Sequence, residues 1–437
     1  MSQILKPKKG YKRVKWLFGK EIEIPVDWDI KKIKDFTKVS VGLVINPSTY
    51  FDDNGSIPMI TGKHVTENGI VLDGVDFITE KSNKLLETTR IWSGDLVTMR
   101  VGYPGRTSVV KNEHNGINCA SVIITRRSKN FVSDFLGYLV NSKLISKQIL
   151  MHQAGGAQQV VNVGSWKEFL ILFPPITEQE KIATILSHVD NLISDTQKII
   201  NQTQYIKKGL MQKLFTKGIG HDKFKKIRGL FGKEIEIPEK WKQITIGETC
   251  NVTKLAGFEY TIHIKFESTG DIPIVKAQNV KMNGFSFDKI EYISKEVSDR
   301  LPRSQIHGNE VLMVFIGANI GNVCLSPGKN WHLGPNVAKI TPKKFNTQFL
   351  NYFLQSSEGQ KNILKWAKST TIPNLSMETI RKIIVLLPPI LEQQKIASIL
   401  SNIDSQIQSQ IQYKEKLERL KKSLMQKLLT GEVRVKV

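Results

Sequence analysis

The chain has 437 residues, of which 40% are hydrophobic, 8% aromatic and 24% charged, a globular composition that excludes disorder and collagen-like repetition. Its 63 Lys and Arg exceed 40 Asp and Glu by 23, the footprint of a polyanion binder, which puts nucleic acid first among expected partners. No run reaches the roughly 18 apolar residues of a membrane helix, and the start MSQILKPKKG lacks the apolar core of a secretion signal, so a cytoplasmic protein with no membrane partner is expected.

In chain order, an acid-free basic start (Lys6, Lys8, Lys9, Lys12, Arg13, Lys15) leads into Tyr11 to Pro175, where short apolar or alternating runs are punctuated by Gly, Asn, Asp and Pro. These runs predict strands and turns, with a helix over Val132 to Gln153, and so a mixed α/β globule. A Pro174-Pro175 pair then opens a long helix, with Thr177 and Glu180 in a capping-box pattern. Ile182, Val189, Thr196, Thr203 and Leu210 recur every seven residues, joined by Ile185, Leu192, Ile199 and Ile206, which predicts a coiled-coil seam. A second basic start (Lys223, Lys225, Lys226, Arg228) opens Phe224 to Pro389, with a helix predicted over Thr347 to Lys368. The last helix follows Pro388-Pro389. It carries Ile396, Ile403, Leu417 and Leu424, with Gln410 interrupting and Leu391 where Thr177 stands. At 1.5 Å per residue the first long helix extends roughly 60 Å, too far for one small domain to cover, so the two helices are expected to pack on each other as an antiparallel pair.

This order is a repeat. YKRVKWLFGKEIEIP at Tyr11 to Pro25 returns as FKKIRGLFGKEIEIP at Phe224 to Pro238 with nine consecutive identities, each followed by a Trp, Trp28 and Trp241. LFPPITEQEKIATILSHVD at Leu172 to Asp190 returns as LLPPILEQQKIASILSNID at Leu386 to Asp404, with 13 of 19 positions identical. KKGLMQKLFT at Lys207 returns as KKSLMQKLLT at Lys421. Between these ends only sparse anchors remain: Ile57-Pro58 with Ile272-Pro273, Gly102 with Gly317, Asn118 with Asn336, and Phe135, Leu136, Tyr138 with Phe349, Leu350, Tyr352. Shared frames with divergent interiors imply one architecture presenting two different surfaces.

Catalytic patterns are missing. Gly62-Lys63-His64 lacks the first Gly and the Ser or Thr of a phosphate loop. Phe173-Pro174-Pro175-Ile176 and Leu387-Pro388-Pro389-Ile390 lack the Asn or Asp and the aromatic of an amino-methyltransferase motif, and read as helix starts. The glycines near 102–105 and 317–321 read as turns, as do Asp52 and Asp53. Cys119, Cys250 and Cys324 form no CxxC, and with the eight His they form no spaced metal set, so they are expected to be buried thiols.

LFGKEIEIPVDW and LFGKEIEIPEKW, PPITEQEKIATIL and PPILEQQKIASIL, and KKGLMQKL and KKSLMQKL together resemble the specificity subunit of type I restriction-modification systems, over nearly the full chain. The resemblance implies an α+β fold: two globular α/β target recognition domains separated by two long antiparallel coiled-coil helices, with a pseudo-twofold internal repeat. It assigns 11–175 and 224–389 to the recognition domains and 176–217 and 390–430 to the central and C-terminal helices. It further implies that each domain reads one half of a bipartite site in double-stranded DNA, that the helices set the gap, and that two methyltransferase subunits and restriction subunits are partners. No cofactor or metal is then expected in this subunit; S-adenosylmethionine, ATP and Mg²⁺ belong to those partners, and the chain itself is not an enzyme. The rival readings are a stand-alone DNA-modifying or DNA-cleaving enzyme with degenerate motifs, and a non-catalytic coiled-coil adaptor.

Arg reads guanine bidentately and Asn or Gln reads adenine. The loops that offer such groups are Lys63-His64, Arg100 to Arg106 and Arg126-Arg127 in the first half, and Lys276, Gln278, Asn279, Asn319, Asn322 and His332 in the second. Among them Lys63, Arg106, Lys276, Gln278 and Asn322 are the candidate DNA contacts, because they lie in corresponding strand-to-turn segments of the two copies.

Overall fold

The computed structural model describes residues 7–152, 160–228, 234–255, 265–367 and 373–436. Lys6, the Leu230-Phe231-Gly232 part of the second opening motif, Gln153 and Lys368 lie outside them. The chain divides into two compact units, residues 1–196 with 413–437, and residues 197–412. Each long helix, Ile176–Lys217 and Ile390–Leu429, therefore contributes one part to each unit.

In unit 1 the opening motif is an antiparallel hairpin, Tyr11–Lys15 with Glu21–Pro25. Its register places Arg13 opposite Glu23 and Lys15 opposite Glu21, so the acids of EIEIP lie across from the basic start, and Arg13 Nε meets Glu23 at 3.4 Å. The second copy keeps this register, with Lys226 opposite Glu236 and Arg228 opposite Glu234, and Lys226 reaches the diagonal Glu234 at 3.7 Å. The body holds a four-stranded sheet in the order Thr107–Val109, Leu96–Met99, Val122–Thr125, Val39–Val41, and a three-stranded sheet centred on Ile57–Ile60. Unit 2 has a matching four-stranded sheet, Cys250–Lys254, Val337–Pro342, Val311–Val314, Val323–Leu325, and a second built on Ile272–Val275. Strand residues such as Val311 to Val314 are buried on both faces, so they read as continuous apolar runs rather than alternating ones. Ile274 pairs with His332 as Met59 pairs with Asn118, so the partner of Asn118 in the repeat is His332; the expected match with Asn336 is four residues out of register.

Each predicted domain helix is broken in two: Ser133–Val140 and Lys143–His152 in unit 1, Thr347–Gln355 and Ser357–Leu364 in unit 2. A polar side chain at the break competes for strand backbone. Asn141 exchanges two hydrogen bonds with the Thr107 backbone, at 2.8 and 3.0 Å, and Gln355 donates to the Val323 carbonyl at 3.1 Å.

The first long helix begins two residues earlier than a capping box at Thr177 requires. Ile176 is already helical, Thr177 lies inside the first turn, and the Pro175 carbonyl accepts from the amides of Glu178 and Gln179. The repeated Glu-Gln pair within PPxxEQ acts differently. Gln179 accepts from the Val132 amide and donates to the Pro174 carbonyl, both at 2.9 Å, and Gln393 repeats this with Asn346 and Pro388. Glu178 accepts the indole N–H of Trp28 at 2.8 Å, as Glu392 accepts that of Trp241 at 3.0 Å. The motif thus fastens each domain to its helix.

Within each unit, parts of both helices run antiparallel. Leu428 and Leu429 join Ile182, Ala183 and Leu186 in the unit 1 core; Leu214 and Phe215 join Ile396, Ala397 and Leu400 in unit 2. Ile182, Val189 and Thr196 are buried as expected, but their seam partners are Leu186, Ile193 and Ile200. The predicted partners Leu192, Ile199 and Ile206 remain 47, 46 and 56% exposed. Apolar residues stand at both spacings, so periodicity alone does not choose between them; packing of the domain against the helix does. Lys421 enters this interface in unit 1, where Asp190 takes its ammonium at 2.6 Å and the Tyr138 hydroxyl at 2.7 Å. Lys207, Asp404 and Tyr352 form the same cluster in unit 2 at the same two distances.

Candidate nucleic-acid interface

The candidate contacts fall on matched turns, one set in each unit. After the strand Ile57–Ile60, the tight turn Gly62–His64 is capped by His64, whose Nδ1 accepts the Thr61 amide at 2.9 Å. Asn279 does the same after Ile272–Val275, its Oδ1 accepting the Lys276 amide at 3.0 Å. Lys63 sits in the first turn and donates to the Gly74 carbonyl at 3.1 Å; Gln278 sits in the second and donates to the Lys289 carbonyl at 3.3 Å. Both side chains are exposed. Arg106 and Asn322 are also equivalent, since their carbonyls accept the amides of Met99 and Val314, the last residues of matched strands, at 2.8 and 2.9 Å.

The five residues differ in how free they are. The Arg106 guanidinium lies 4.3 Å from the ring centroid of exposed Tyr103, a cation–π contact, and among the described residues no acid takes up its charge. Asn322 spends its amide on the Val280 carbonyl at 3.2 Å, which places it beside the hairpin that follows Gln278. Lys276 is paired with Glu291 and covers the Phe266 ring at 3.9 Å, so its charge is already matched. Lys276 corresponds to Thr61.

Several neighbours considered from sequence prove to be framework. His64, Asn279 and His332 are buried, and His332 lies against the carbonyls of Leu333 and Leu301. Burial pushes the His64 imidazole below its ordinary pKa. Arg126 reaches buried Asp95 at 2.8 Å and the carbonyls of Arg90 and Thr88, while Arg127 holds the Ser93 carbonyl. The three cysteines are buried, and burial raises Cys119, Cys250 and Cys324 to about 12, 11 and 12, far from a reactive thiolate at neutral pH. Among the described residues no group of three or more His, Cys, Asp or Glu is placed to hold a metal ion, and no helix is long and apolar enough to cross a membrane.

A second repeated feature was not singled out from sequence. In unit 1 a cleft of about 610 Å³ opens between the break at Asn141-Ser142 and the end of the second long helix, lined among others by Lys147, Lys421, Lys422, Met425 and Gln426. Unit 2 has a cleft of about 460 Å³ at the matching place, lined by Lys361, Lys207, Lys208, Met211 and Gln212. The signal lay in KKGLMQKL and KKSLMQKL: Lys208 and Gln212 match Lys422 and Gln426, although all four are exposed and outside the helix seam.

Comparison with known proteins places this geometry. The model of the type I restriction modification DNA specificity domain matches twice, at residues 25–205 and 238–419. The MjaVIII type I restriction enzyme specificity subunit of Methanocaldococcus jannaschii is 27% identical over 95% of both chains. The EcoKI specificity subunit of Escherichia coli is 22% identical, covering 94% of this chain and 90% of that one. Among solved structures, the S subunit of the type I system of M. genitalium superposes with a TM-score of 0.55 at 16% identity, covering 92% of this chain and 96% of that one. A chain from a study of type I complex assembly gives 0.58 at 16% identity, covering 94% and 99%. With two copies of the domain across most of its length, the chain belongs to the type I restriction-modification DNA specificity family.

Proposed function

We propose that each unit reads one half of a bipartite site in double-stranded DNA, and that the chain contributes specificity but no bond-making group to a restriction-modification complex. The observation that carries this reading is the pairing of identical frames with unlike side chains at matched turns: Lys63 against Gln278, Arg106 against Asn322 and Thr61 against Lys276. Lys and Arg suit guanine O6 and N7, Gln and Asn suit adenine N6 and N7, so one scaffold addresses two different half-sites. The surplus of 23 basic residues supplies the phosphate attraction that is independent of sequence.

The partners are two methyltransferase subunits together with restriction subunits, and S-adenosylmethionine, ATP and Mg²⁺ act in them rather than here. The two clefts support a partner present in two like copies, because Lys147, Lys421, Lys422, Met425 and Gln426 in one match Lys361, Lys207, Lys208, Met211 and Gln212 in the other, while the candidate reading positions differ. The helices that both units share set the number of unread base pairs between the half-sites.

Exchanging residues 224–389 for the matching segment of a relative should change one half-site and leave the other intact; a change in both halves overturns the modular reading. Binding should also fall steeply with salt, by roughly 10³-fold between 50 and 200 mM for about six phosphate contacts, whereas a flat response removes the polyanion account. Turnover of DNA by the purified chain alone, with Mg²⁺ or S-adenosylmethionine, would favour the stand-alone enzyme instead.

A further inference from the structure

The turn after each short hairpin, residues 71–74 in unit 1 and 286–289 in unit 2, has the same backbone and a different tip. Gly74 and Lys289 both adopt a left-handed conformation, at φ +62° and +51°, and Asp73 corresponds to Asp288. The amides of Val71 and Ser286 donate to the carbonyls of His64 and Asn279 at 2.9 and 2.8 Å. Leu72 and Phe287 stand at the two tips, 37 and 65% exposed.

Phe287 is displayed rather than loose. Asn279 donates to the carbonyls on either side of it, Ser286 at 3.1 Å and Asp288 at 3.0 Å. Its ring meets Phe285 edge-on at 5.0 Å and Trp331 at 6.1 Å, and those two meet each other at 5.2 Å. Exposed Asp288 and Lys289 follow the tip in the chain, and Gln278 holds the Lys289 carbonyl. An exposed ring fixed on an aromatic base suits the apolar faces and methyl groups of bases.

We propose that Phe287, and at the matched tip Leu72, makes an apolar contact to the bases of the half-site read by its own unit, so that the size of this tip helps determine sequence preference. The inference rests on the DNA-specificity reading above. The test uses the full chain assembled with its methyltransferase subunits and measures relative affinity across duplexes varied at every position of both half-sites. Phe287→Ala should lower the preference for the cognate base at one or two adjacent positions of a single half-site by about 5- to 10-fold, and Leu72→Ala should act on the other half-site. Phe287→Leu should give an intermediate preference.

Deoxyuridine in place of thymidine should weaken the wild-type complex and not the Phe287→Ala complex if the ring meets a methyl group in the groove. A rise in 2-aminopurine fluorescence that Phe287→Ala abolishes would instead mark a ring wedged at a base step; both are the proposed contact. Unchanged preference at every position in the Phe287→Ala complex overturns it, as does weakened methyltransferase binding with DNA preference intact. A wild-type complex with no sequence preference at all would overturn the parent reading as well, which separates the two failures.

Discussion

The two units close the same socket with different parts of the chain. In unit 2, Glu392 at the start of the second long helix accepts Trp241 and is held by the Ile219 amide and by His221 at 2.8 Å, both from the linker that leaves the first long helix. In unit 1, Glu178 accepts Trp28 and is held by Arg434, from the C-terminal tail, which also grips Asp27 at 2.7 and 2.9 Å. Gly218 and Gly431 open the two paths at φ +65° and +71°. A Cβ at either would lie 2.8 Å from Trp241 or 2.6 Å from Pro25, so glycine is required at both. The comparison teaches that the socket needs a donor of the right reach rather than a given residue type: the segment after each long helix returns to the Trp and Glu, and Arg434 in unit 1 takes the place that His221 and the Ile219 amide hold in unit 2.

The most severe test of this equivalence lies in the helix seam. Leu186 and Leu400 are matched and fully buried, so Leu186→Ala and Leu400→Ala should each cost roughly 4 kcal/mol, measured by urea denaturation with hydrogen exchange in peptides of each unit. Leu192→Ala, at the position expected from periodicity to be in the seam, should change stability by less than about 0.5 kcal/mol. Equal losses at Leu186 and Leu192 would restore the register expected from sequence. Next in size is the socket. Arg434→Ala leaves a buried carboxylate without its counter-charge and should destabilise unit 1 by about 3 kcal/mol, the low end for such pairs because Arg434 is itself partly exposed. His221→Ala should cost unit 2 less, since Glu392 keeps the Trp241 indole and the Ile219 amide.

The repeated polar cluster should behave alike in both units. Burial, with the Asp hydrogen bond next, pushes the Tyr138 and Tyr352 phenols far above their ordinary range, so each stays a neutral donor to Asp190 or Asp404. Tyr138→Phe and Tyr352→Phe should each lose about 1.5 kcal/mol, the worth of a hydrogen bond to a charged acceptor. A loss confined to one unit in the same denaturation experiment would show that the two clusters are not equivalent.

The frame was legible because it is written twice. The opening hairpins, the PPxxEQ helix starts and the two long helices all follow from strings repeated nearly intact, and the buried tasks of Glu178 and Gln179 explain why those letters return as Glu392 and Gln393. The seam register was not legible, because Ile185-Leu186, Leu192-Ile193 and Ile199-Ile200 offer apolar residues at both spacings. The domain helices looked continuous because Asn141 and Gln355 act through hydrogen bonds to distant strands, which no local pattern contains. At the candidate interface, residue type pointed to Lys63, Arg106, Gln278 and Asn322, and the fold puts them at matched places. Type alone could not separate them from His332 or Arg126, whose polar groups the interior consumes.

The smallest expected difference between the units is also the most specific to one of them. His64 and Asn279 cap equivalent turns, yet only His64 can take up a proton. Its Nδ1 accepts the Thr61 amide and so must be unprotonated, and burial holds the folded pKa below the ordinary 6.5. The unfolded chain therefore binds more protons than the folded one as pH falls through that value. The stabilisation from a neutral His64 is complete above about 6.5 and is lost progressively below it. Hydrogen exchange at pH 7.5 and pH 5.5 should show the turn at Gly62–His64 loosening on acidification more than the turn at Ala277–Asn279. His64→Asn should remove that excess by giving unit 1 the cap that unit 2 already uses. If the variant keeps the wild-type acid response, the titrating group lies elsewhere and the two caps are equivalent in chemistry as well as in place.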